Sequence, residues 1–573
     1  MKFLRRFKTH GDVMDGGKLG IDQVLYGLSL IILLITVLFP IAMIIYSTFF
    51  YGFKFDFTMF KEVIFNPDNV TAMWNTIKIS FAVTIFGTIL GLFYAWLIGR
   101  SDIPLKGLMK SLFTIPYMFP PFFGAMAWNL LLAPRSGYIN KIYMAATGSA
   151  TPLLNINSLA GIVFVEVCYY FPFVFLQVVS ALERMDPTLE ESARIAGANQ
   201  WYVIRKITLP LVMPATAAGA MLILISSLSH FGVPAILGFS SNIFTLPTKI
   251  FQLINRSSGS FQGIREGAAL SILLVVVVVI ALWLQKLVLK TGRYDIIKGK
   301  SMRPVLIKLR KAKYPLLIIS LVSLFIIVVM PLFMIFAVGG LKAYGLPLKL
   351  ENMTFANYKY ILTQSQMVID SIKNSLFLSV TAGIISMFLG VMIAYIIIKV
   401  RPKGKEVLEI LSLLPYSIPG IVLAIGVILS WSGIIGINLY NTIWIILIAY
   451  IARYVSFAMK SAAASLEQVH YSLEEAARSC GATHLESLRD ITLPLIRPGM
   501  IAGFFLIFLP AMRELTTSIL LYGPFTRTLG VAIYSVNAEG NTVQASALAA
   551  VAILIIILGN GVLRLITRER KGV

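Results

Sequence analysis

Charged residues are scarce in this sequence. Only 13% of its 573 residues are Asp, Glu, Lys or Arg, whereas a typical soluble domain contains about 25%, and 58% of the residues are hydrophobic. The mean hydropathy is correspondingly high, at +0.83. Because a chain with so little charge is unsuited to an ordinary water-soluble domain, we predict a protein of the lipid bilayer.

The residues that carry most catalytic and metal chemistry are also few. There are four histidines and two cysteines, and Cys168 and Cys480 lie far apart, which argues against a disulfide framework. No CxxC or HxxxH spacing, serine–histidine–aspartate pattern or carboxylate pair rises above chance. The phosphate-binding pattern GxxxxGK[ST] does not occur, so the chain by itself is not expected to hydrolyse ATP. We predict a protein that is not an enzyme and that holds no cofactor or metal ion.

The charge that is present is strongly basic, with 49 Lys and Arg against 26 Asp and Glu and a net charge of +23. A nucleic-acid-binding face would mix basic and aromatic residues on a polar surface, whereas these basic residues form short clusters between apolar runs. Such clusters are typical of loops on the cytoplasmic side of a membrane. They occupy residues 99–110, 286–313, 399–409 and 564–571. We therefore predict no nucleic-acid partner, and we expect both termini and the central basic segment to be cytoplasmic.

Apolar runs of about 20 residues, the length needed to cross a bilayer, recur along the whole chain. They lie near residues 24–50, 74–98, 108–132, 158–182, 211–237, 268–289, 315–340, 373–399, 407–431, 441–465, 495–522 and 545–566. The first run is too long for a signal-peptide core and has no small-residue cleavage site, so it is expected to be a retained span. Pro116 and Pro415 predict kinks in the third span of each half. The predicted fold is an all-α polytopic membrane protein with about twelve transmembrane helices in the inner membrane.

The two halves of the chain repeat one another. Gly91 recurs as Gly390, and Pro116-Tyr117 recurs as Pro415-Tyr416, 299 positions later, whereas farther along the chain the offset is 284. The difference indicates extra residues in the first half, which we place in the external loop around 138–156. Because six spans per half is an even number, the halves are expected to form a parallel repeat with one orientation. The predicted divisions are a cytoplasmic segment at 1–23, a first half at 24–290, a basic linker at 291–313 and a second half at 314–573.

The most specific pattern lies in the fourth polar loop of each half. The first copy reads Glu191-Ser192-Ala193, three residues, Gly197, nine residues and Ile207-Thr208-Leu209-Pro210. The second reads Glu475-Ala476-Ala477, three residues, Gly481, nine residues and Ile491-Thr492-Leu493-Pro494. Capping boxes at Thr188 to Glu191 and Ser472 to Glu475 predict a short helix in each copy, with Asp186-Pro187 as a rival start in the first. The glycine is expected to end that helix in the left-handed conformation, and a second short helix follows. Identical spacing in two copies favours a functional surface over a loop that is merely well capped.

This duplicated pattern resembles the coupling loop of binding-protein-dependent ATP-binding-cassette permeases of the type I importer fold, and the resemblance covers about 70–290 and 370–566. This sequence departs from the family pattern at Ser192, where alanine is usual. The resemblance implies the transmembrane permease of an importer, whose two halves surround one pathway. It also implies two separate cytoplasmic ATPase subunits, docked at 186–201 and 470–485, and an extracytoplasmic solute-binding protein. The residues implied to couple to the ATPase are Glu191, Ala193, Gly197, Leu209, Pro210, Glu475, Ala476, Ala477, Gly481, Leu493 and Pro494.

The cargo is suggested by a narrower resemblance. The fused double permease and the segments His230-Phe231-Gly232-Val233-Pro234 and Arg513-Glu514-Leu515-Thr516-Thr517 look most like ferric-iron permeases. Phosphonate and sugar-phosphate permeases are also similar, so those cargoes remain alternatives. An ion-driven secondary carrier would likewise have twelve spans in two halves, but it would favour more paired intramembrane acids and gives no reason for two identical loops. A channel is disfavoured because no filter-like segment repeats.

Ionisable side chains within the predicted spans are candidates for the transport pathway, because such groups are costly in a bilayer. They are Glu166, His230, Arg453, Arg513 and Glu514. His230 and Glu514 match at the offset of 284, so they are expected at equivalent depth in the fifth helix of each half. Two interpretations stay open for His230, Arg513 and Glu514: they line the pathway, or they form bonds that only hold helices together.

Overall fold

The computed structural model describes residues 21–256, 261–290, 306–433 and 436–568, and most of these residues are helical. Nearly all of the predicted N-terminal segment and most of the predicted linker lie outside the described residues. The helices of the first half are α1 (Ile21–Leu33), α2 (Phe39–Phe49), α3 (Thr58–Phe65), α4 (Pro67–Arg100), α5 (Lys106–Met118), α6 (Pro121–Leu132), α7 (Tyr138–Thr147), α8 (Leu159–Arg184), α9 (Thr188–Ile195), α10 (Gln200–Val203), α11 (Leu209–Leu228), α12 (Gly232–Gly238), α13 (Leu246–Arg256) and α14 (Phe261–Lys290). A short antiparallel hairpin of β1 (Phe50–Tyr51) and β2 (Lys54–Phe55) follows α2.

The second half has a similar order of helices. They are α15 (Lys313–Leu324), α16 (Met330–Gly339), α17 (Ala356–Thr363), α18 (Gln366–Tyr395), α19 (Lys405–Ser417), α20 (Gly420–Trp431), α21 (Ile443–Leu466), α22 (Tyr471–Ser479), α23 (His484–Ser487), α24 (Leu493–Met512), α25 (Ser518–Leu521), α26 (Leu529–Ala538) and α27 (Thr542–Arg568). Single π-helical turns join or extend several helices, at Leu34–Leu38, Ile204–Thr208, Phe325–Val329, Ile396–Val400 and Leu488–Thr492.

Within the described residues, ten helical stretches are long and apolar enough to cross a membrane, and the number is eleven if the bent pair α19–α20 is one span. The ten stretches are Gln23–Phe49, Pro67–Arg100, Leu159–Arg184, Gln200–Leu228, Phe261–Leu284, Arg310–Gly339, Gln366–Val400, Ile443–Leu466, Leu488–Met512 and Thr542–Val562. They correspond to the first, second, fourth, fifth and sixth apolar runs of each half. The all-α membrane fold is therefore confirmed, with fewer continuous spans than the twelve expected.

The third predicted span of each half is broken in two. Helices α5 and α6 replace the run at 108–132, and α19 and α20 replace the run at 407–431, with a bend of 113° in the second pair. Phe119 and Ile418 have extended backbones there. Each precedes a proline, Pro120 or Pro419, whose ring crowds the helical conformation of the residue before it. The prolines of the earlier Pro-Tyr pairs stay inside the last turns of α5 and α19, so the predicted kinks are wrong in position.

The fifth predicted span of each half is shorter than its apolar run. Helix α11 ends at Leu228 and α24 ends at Met512, and after a short break the chain continues in α12 and α25. His230, Arg513 and Glu514 lie in these two breaks. The expectation that they sit inside continuous fifth helices is therefore wrong, because the helices stop before the apolar sequence does.

The second, fourth and fifth spans of each half form one tightly packed bundle. Helix α4 lies along α8 and α11, and α18 lies along α21 and α24. The second and fourth spans approach closely at two matching glycines. A Cβ atom added to Gly91 would lie 2.8 Å from Cβ of Val174, and one added to Gly390 would lie 2.5 Å from the carbonyl carbon of Ala458. Absence of a side chain at these glycines is what permits the contact.

The first span of each half packs against the other half. Helix α2 lies on α20, where the rings of Phe39 and Trp431 meet edge to face with centroids 6.2 Å apart, and α16 lies on α6. A Cβ atom on Gly426 would lie 2.7 Å from the carbonyl oxygen of Pro40. The two halves thus interlock, and the domain boundaries at 24, 291 and 314 remain predictions.

The described end of the predicted linker binds the end of α4. The amide of Ile307 donates to the carbonyl of Arg100 at 2.8 Å, and the amide of Asp102 donates to the carbonyl of Ile307 at 3.0 Å. The Leu309 amide donates to Asp102 Oδ1 at 2.9 Å, and this bond, with nearby Lys313, holds the pKa of Asp102 below its usual value. We call this side of the molecule, formed by residues 306–313 and the C-terminal ends of α4 and of the Gln366–Val400 span, the linker end.

Replacement of Gly390 by leucine is expected to force α18 and α21 apart. Overpacking of this kind costs about 1–3 kcal/mol of unfolding free energy, so the Gly390→Leu protein should melt at a lower temperature in detergent. Gly27→Leu, in α1, is the matched control, because no atom lies within 4 Å of the Cβ added there. The melting temperature is measured by size-exclusion chromatography after heating. Equal melting temperatures for the two variants would contradict the proposed packing.

Candidate functional site

Both predicted helix pairs lie at the linker end, and they share the same backbone conformation. Helix α9 is followed by α10, and α22 is followed by α23. Gly197 has φ of +88° and Gly481 has φ of +92°, which confirms the predicted left-handed glycines. The amide of Ala198 donates to the carbonyl of Ala193 at 3.0 Å, and that of Ala482 donates to Ala477 at 3.0 Å. These bonds close the end of the first helix, as expected for a left-handed terminus.

The predicted capping boxes do not form. In the first copy Asp186 Oδ1 accepts from the amide of Thr188 at 2.9 Å and from its hydroxyl at 2.8 Å, so the rival start at Asp186-Pro187 is the correct one. In the second copy His470 Nδ1 accepts from the Ser472 amide at 3.3 Å. A side-chain acceptor replaces the hydroxyl cap in both copies, two residues before α9 and directly before α22, and the glutamates at 191 and 475 are left free to face outward.

The residues implied to couple to a partner lie mostly at the surface of the helix pairs. Glu475, Ala476, Gly197 and Gly481 are exposed, and Glu191, Ala193 and Ala477 are partly exposed. Leu209 and Pro210, and Leu493 and Pro494, are the first two residues of α11 and α24, directly after a π-helical turn. Three large apolar side chains that the sequence analysis missed are also exposed, by 87%, 69% and 54%: Ile195, Trp201 and Tyr202. An exposed apolar patch of this kind is typical of an interaction surface.

A buried carboxylate connects the first helix pair to the spanning helices. Glu190, on α9, is 3% exposed, and its Oε1 accepts from the hydroxyl of Thr208 at 2.7 Å. The same oxygen lies 3.4 Å from Nε of Arg100, which is 1% exposed at the end of α4, and Oε2 lies 3.5 Å from Nη2 of Arg194. One side chain thus contacts α9, the turn before α11 and the end of α4.

The second half repeats this arrangement. Glu474 Oε1 accepts from the hydroxyl of Thr492 at 2.8 Å and lies 3.3 Å from Nζ of Lys399. Lys399 also donates to the carbonyl of Val469 at 3.0 Å, and its ammonium lies 4.4 Å from the centre of the Tyr471 ring. Glu474 and Thr492 match their counterparts at the offset of 284, and Lys399 matches at 299.

Sequence reasoning missed these buried carboxylates because it began each motif one residue later, at Glu191 and Glu475. Two signals were present. Both copies contain a Glu-Glu pair, and the second spans both end in a basic residue at matching positions. Neither signal shows which glutamate faces inward, since adjacent positions on a short helix point about 100° apart.

Each break after a fifth span is held by a tyrosine of the fourth span. In the first half Tyr170 Oη lies 2.9 Å from His230 Nδ1, and His230 Nε2 accepts from the amide of Val233 at 3.4 Å. In the second half Tyr454 Oη donates to Glu514 Oε2 at 3.0 Å. Tyr170 and Tyr454 match at the offset of 284, as do His230 and Glu514.

Glu514 has further partners. Its Oε1 accepts from the amide of Thr517 at 2.8 Å, and its Oε2 lies 3.8 Å from Nε of Arg453. Arg453 Nη1 in turn donates to the hydroxyl of Thr517 at 2.7 Å. The carboxylate therefore satisfies a backbone amide that the broken helix leaves unpaired, and Arg453 balances its charge.

Arg513 joins the two halves. Its Nη1 donates to the carbonyl of Tyr117 at 3.1 Å and to the carbonyl of Met118. Those carbonyls lie at the end of α5, beside the proline break of the first half. The guanidinium thus crosses the interface of the halves and binds carbonyl groups that accept no hydrogen bond within a helix. Among the described residues no group of three or more His, Cys, Asp or Glu side chains is arranged to hold a metal ion.

Comparison with known proteins identifies the family. The sequence profile described as binding-protein-dependent transport system inner membrane component matches twice, at residues 84–291 and 386–572. The chain is 27% identical over 521 residues to a putative ferric transport system permease protein of Haemophilus influenzae, which covers 90% of this chain and 80% of that protein. It is 26% identical over 552 residues to the ferric transport system permease protein of Actinobacillus pleuropneumoniae, covering 95% and 78%. A molybdenum transport system permease of Escherichia coli is 31% identical over 218 residues, 37% of this chain and 91% of that protein.

The two matches cover both halves of the chain and include both helix pairs and both breaks. Each half therefore carries one copy of the permease domain, and the parallel duplication deduced from the sequence is that of two fused permeases. The chain belongs to the family of inner-membrane components of binding-protein-dependent transport systems and is a permease of an ATP-binding-cassette importer.

Proposed function

We propose that this permease imports ferric iron, driven by two ATPase subunits docked on its helix pairs and supplied by an extracytoplasmic solute-binding protein. The observation that carries the cargo is the similarity to permeases named for ferric transport, which extends over 90–95% of the chain, compared with 37% for the molybdenum permease. Phosphonate and sugar phosphate remain the alternative cargoes, and no described contact favours them. The guanidinium of Arg513, which would serve an anion, is occupied by backbone carbonyls.

The linker end is the proposed cytoplasmic face. Basic residues cluster there, as in cytoplasmic loops of membrane proteins, and the exposed apolar patch of Ile195, Trp201 and Tyr202 lies on the first helix pair. The same helix pair carries the partly exposed carboxylate of Glu191, and the second helix pair carries the exposed carboxylate of Glu475. We propose that the ATPase subunits bind here and that both termini lie on the same side.

The residues at the breaks are proposed to hold the pathway closed. His230 and Glu514 have hydrogen-bond partners on their own half, and Arg513 ties α24 to the end of α5 in the other half. Opening a route between the halves requires the Arg513 contact to separate. Glu514 is proposed to secure the second break together with Arg453, which favours the packing interpretation for this residue.

The proposed function is tested by reconstitution in proteoliposomes. The chain alone should hydrolyse no ATP, and ATP turnover should appear when the cognate ATPase subunits are added. Turnover should rise further with binding protein loaded with ferric iron, and labelled iron should accumulate in the lumen. Binding protein loaded with a phosphonate or a sugar phosphate is the control for cargo. Accumulation of one of those anions without iron would refute the ferric assignment and leave the importer class intact.

The left-handed glycines provide a test of the coupling surface. A Gly197→Pro/Gly481→Pro variant is expected to lose at least tenfold in uptake per ATP hydrolysed while inserting normally, because proline fixes φ near −65° and cannot adopt the observed positive values. The matched control is Gly197→Asn/Gly481→Asn, since asparagine tolerates the left-handed region. Uptake at the wild-type rate in the proline variant, at equal membrane abundance, would show that the helix pairs do not couple.

The packing role of Glu514 has its own test. Glu514→Gln leaves the partly buried Arg453 charge unbalanced, so less protein should reach the membrane. Adding Arg453→Met to Glu514→Gln should restore the abundance measured by immunoblotting. Normal abundance of the single variant together with loss of iron uptake would instead assign Glu514 to the pathway.

A further inference from the structure

The two buried carboxylates of the helix pairs join them to the second spanning helix of the same half. We propose, building on the function proposed above, that Glu190 and Glu474 are positioning residues that carry movement of the helix pairs into α4 and α18. The exposed glutamates beside them face a partner, whereas these glutamates face the membrane bundle. Of two adjacent glutamates on one short helix, the outer one would then contact the partner and the inner one would transmit movement to the spanning helices.

The contacts of each carboxylate suit a mechanical link. Glu190 bonds Thr208 in the turn before α11 and pairs with Arg100 at the end of α4, and Glu474 makes the same two contacts with Thr492 and Lys399. Each glutamate therefore fixes its helix pair to two spanning helices at once. A helix pair tied at these points cannot tilt without moving the end of the second span.

The ion pair persists although the basic residue differs between the halves. Arg100 is replaced by Lys399, which gains a backbone bond and an aromatic neighbour, and the carboxylate and threonine are unchanged. The nitrogens of Arg100 make no hydrogen bond within the described residues, so Glu190 is the group that balances its charge. Because buried ion pairs contribute little net stability compared with apolar packing, their duplication points to a role in geometry.

The second spans lead from these ion pairs to the breaks. Helix α4 touches α8 at Gly91, where the nearest atoms belong to Val174 and Phe171, and Phe171 is the neighbour of the tyrosine that binds His230. Helix α18 touches α21 at Gly390 beside Ala458, one turn after the tyrosine that binds Glu514. Displacement of α4 or α18 therefore acts on the fourth span close to the residue that holds each break.

The test uses the complete complex in proteoliposomes, with the cognate ATPase subunits and binding protein loaded with ferric iron. A Glu190→Gln/Glu474→Gln variant keeps the size of both side chains and removes their charge. Its membrane abundance should fall, because Arg100 and Lys399 lose their partners, but the recovered complex should retain the ATPase subunits and hydrolyse ATP within twofold of the wild-type rate. Uptake per ATP hydrolysed should fall at least tenfold, a ratio that a merely structural role would leave unchanged. Glu183→Gln is the matched control, since Glu183 forms an exposed ion pair with Lys110 at the same end, and it should have no effect.

A second variant distinguishes transmission from folding. Adding Arg100→Met and Lys399→Met to the two glutamine substitutions removes both ion pairs without leaving a buried charge, so membrane abundance should equal that of the wild type. Its uptake per ATP should remain at least tenfold low. Wild-type uptake per ATP in this fourfold variant, or loss of the ATPase subunits from the glutamine variant, would overturn the inference. Failure of the unmodified chain to bind ATPase subunits would refute the proposed function itself, before any variant is compared.

Discussion

Backbone polar groups have no water to bind within a bilayer, and this constraint accounts for the polar side chains at the helix breaks. Where α24 ends, Glu514 accepts from the free amide of Thr517, and where α11 ends, His230 accepts from that of Val233. Arg513 donates to the carbonyls exposed at the end of α5. The side-chain amides of Asn75 and Asn374, at matching positions of the second spans, donate to backbone carbonyls of the loops after α12 and α25. Breaks in the spans and ionisable residues therefore occur together because each break requires a polar partner.

The two halves share a backbone plan and differ in chemistry. The first break is held by a tyrosine–histidine pair, Tyr170 and His230, whereas the second is held by a carboxylate balanced by Arg453. Arg513 extends from the second half to the first and has no counterpart of the same type, since the matching residue is a serine. The two breaks are thus held by a repeated fold with unequal side chains.

The linker end combines the proposed docking surface with the attachment of the helix pairs to the spanning helices. Exposed apolar side chains of the first helix pair lie on one side, and buried ion pairs to α4 and the Gln366–Val400 span lie on the other. The described end of the linker binds the same end of α4 through Arg100 and Asp102. Contacts of α2 with α20 and of α16 with α6 join the two halves.

The sequence by itself determined the membrane class, the duplication, the helix pairs and their left-handed glycines, because hydropathy, repeat spacing and turn chemistry are local properties of the chain. The tertiary structure decided which residues meet. Glu190 faces inward and Glu191 outward although both are glutamates of one motif, since only the position of Arg100 and Thr208, distant in sequence, gives the inner carboxylate its partners. The ends of α11 and α24 were likewise hidden, because apolar residues continue past each break and hydropathy does not register where a backbone hydrogen bond is lost. The third spans broke at Pro120 and Pro419, one proline later than expected. Pro116 and Pro415 stay within the last turns of their helices, whereas the residue before Pro120 or Pro419 is extended because the proline ring crowds its helical conformation.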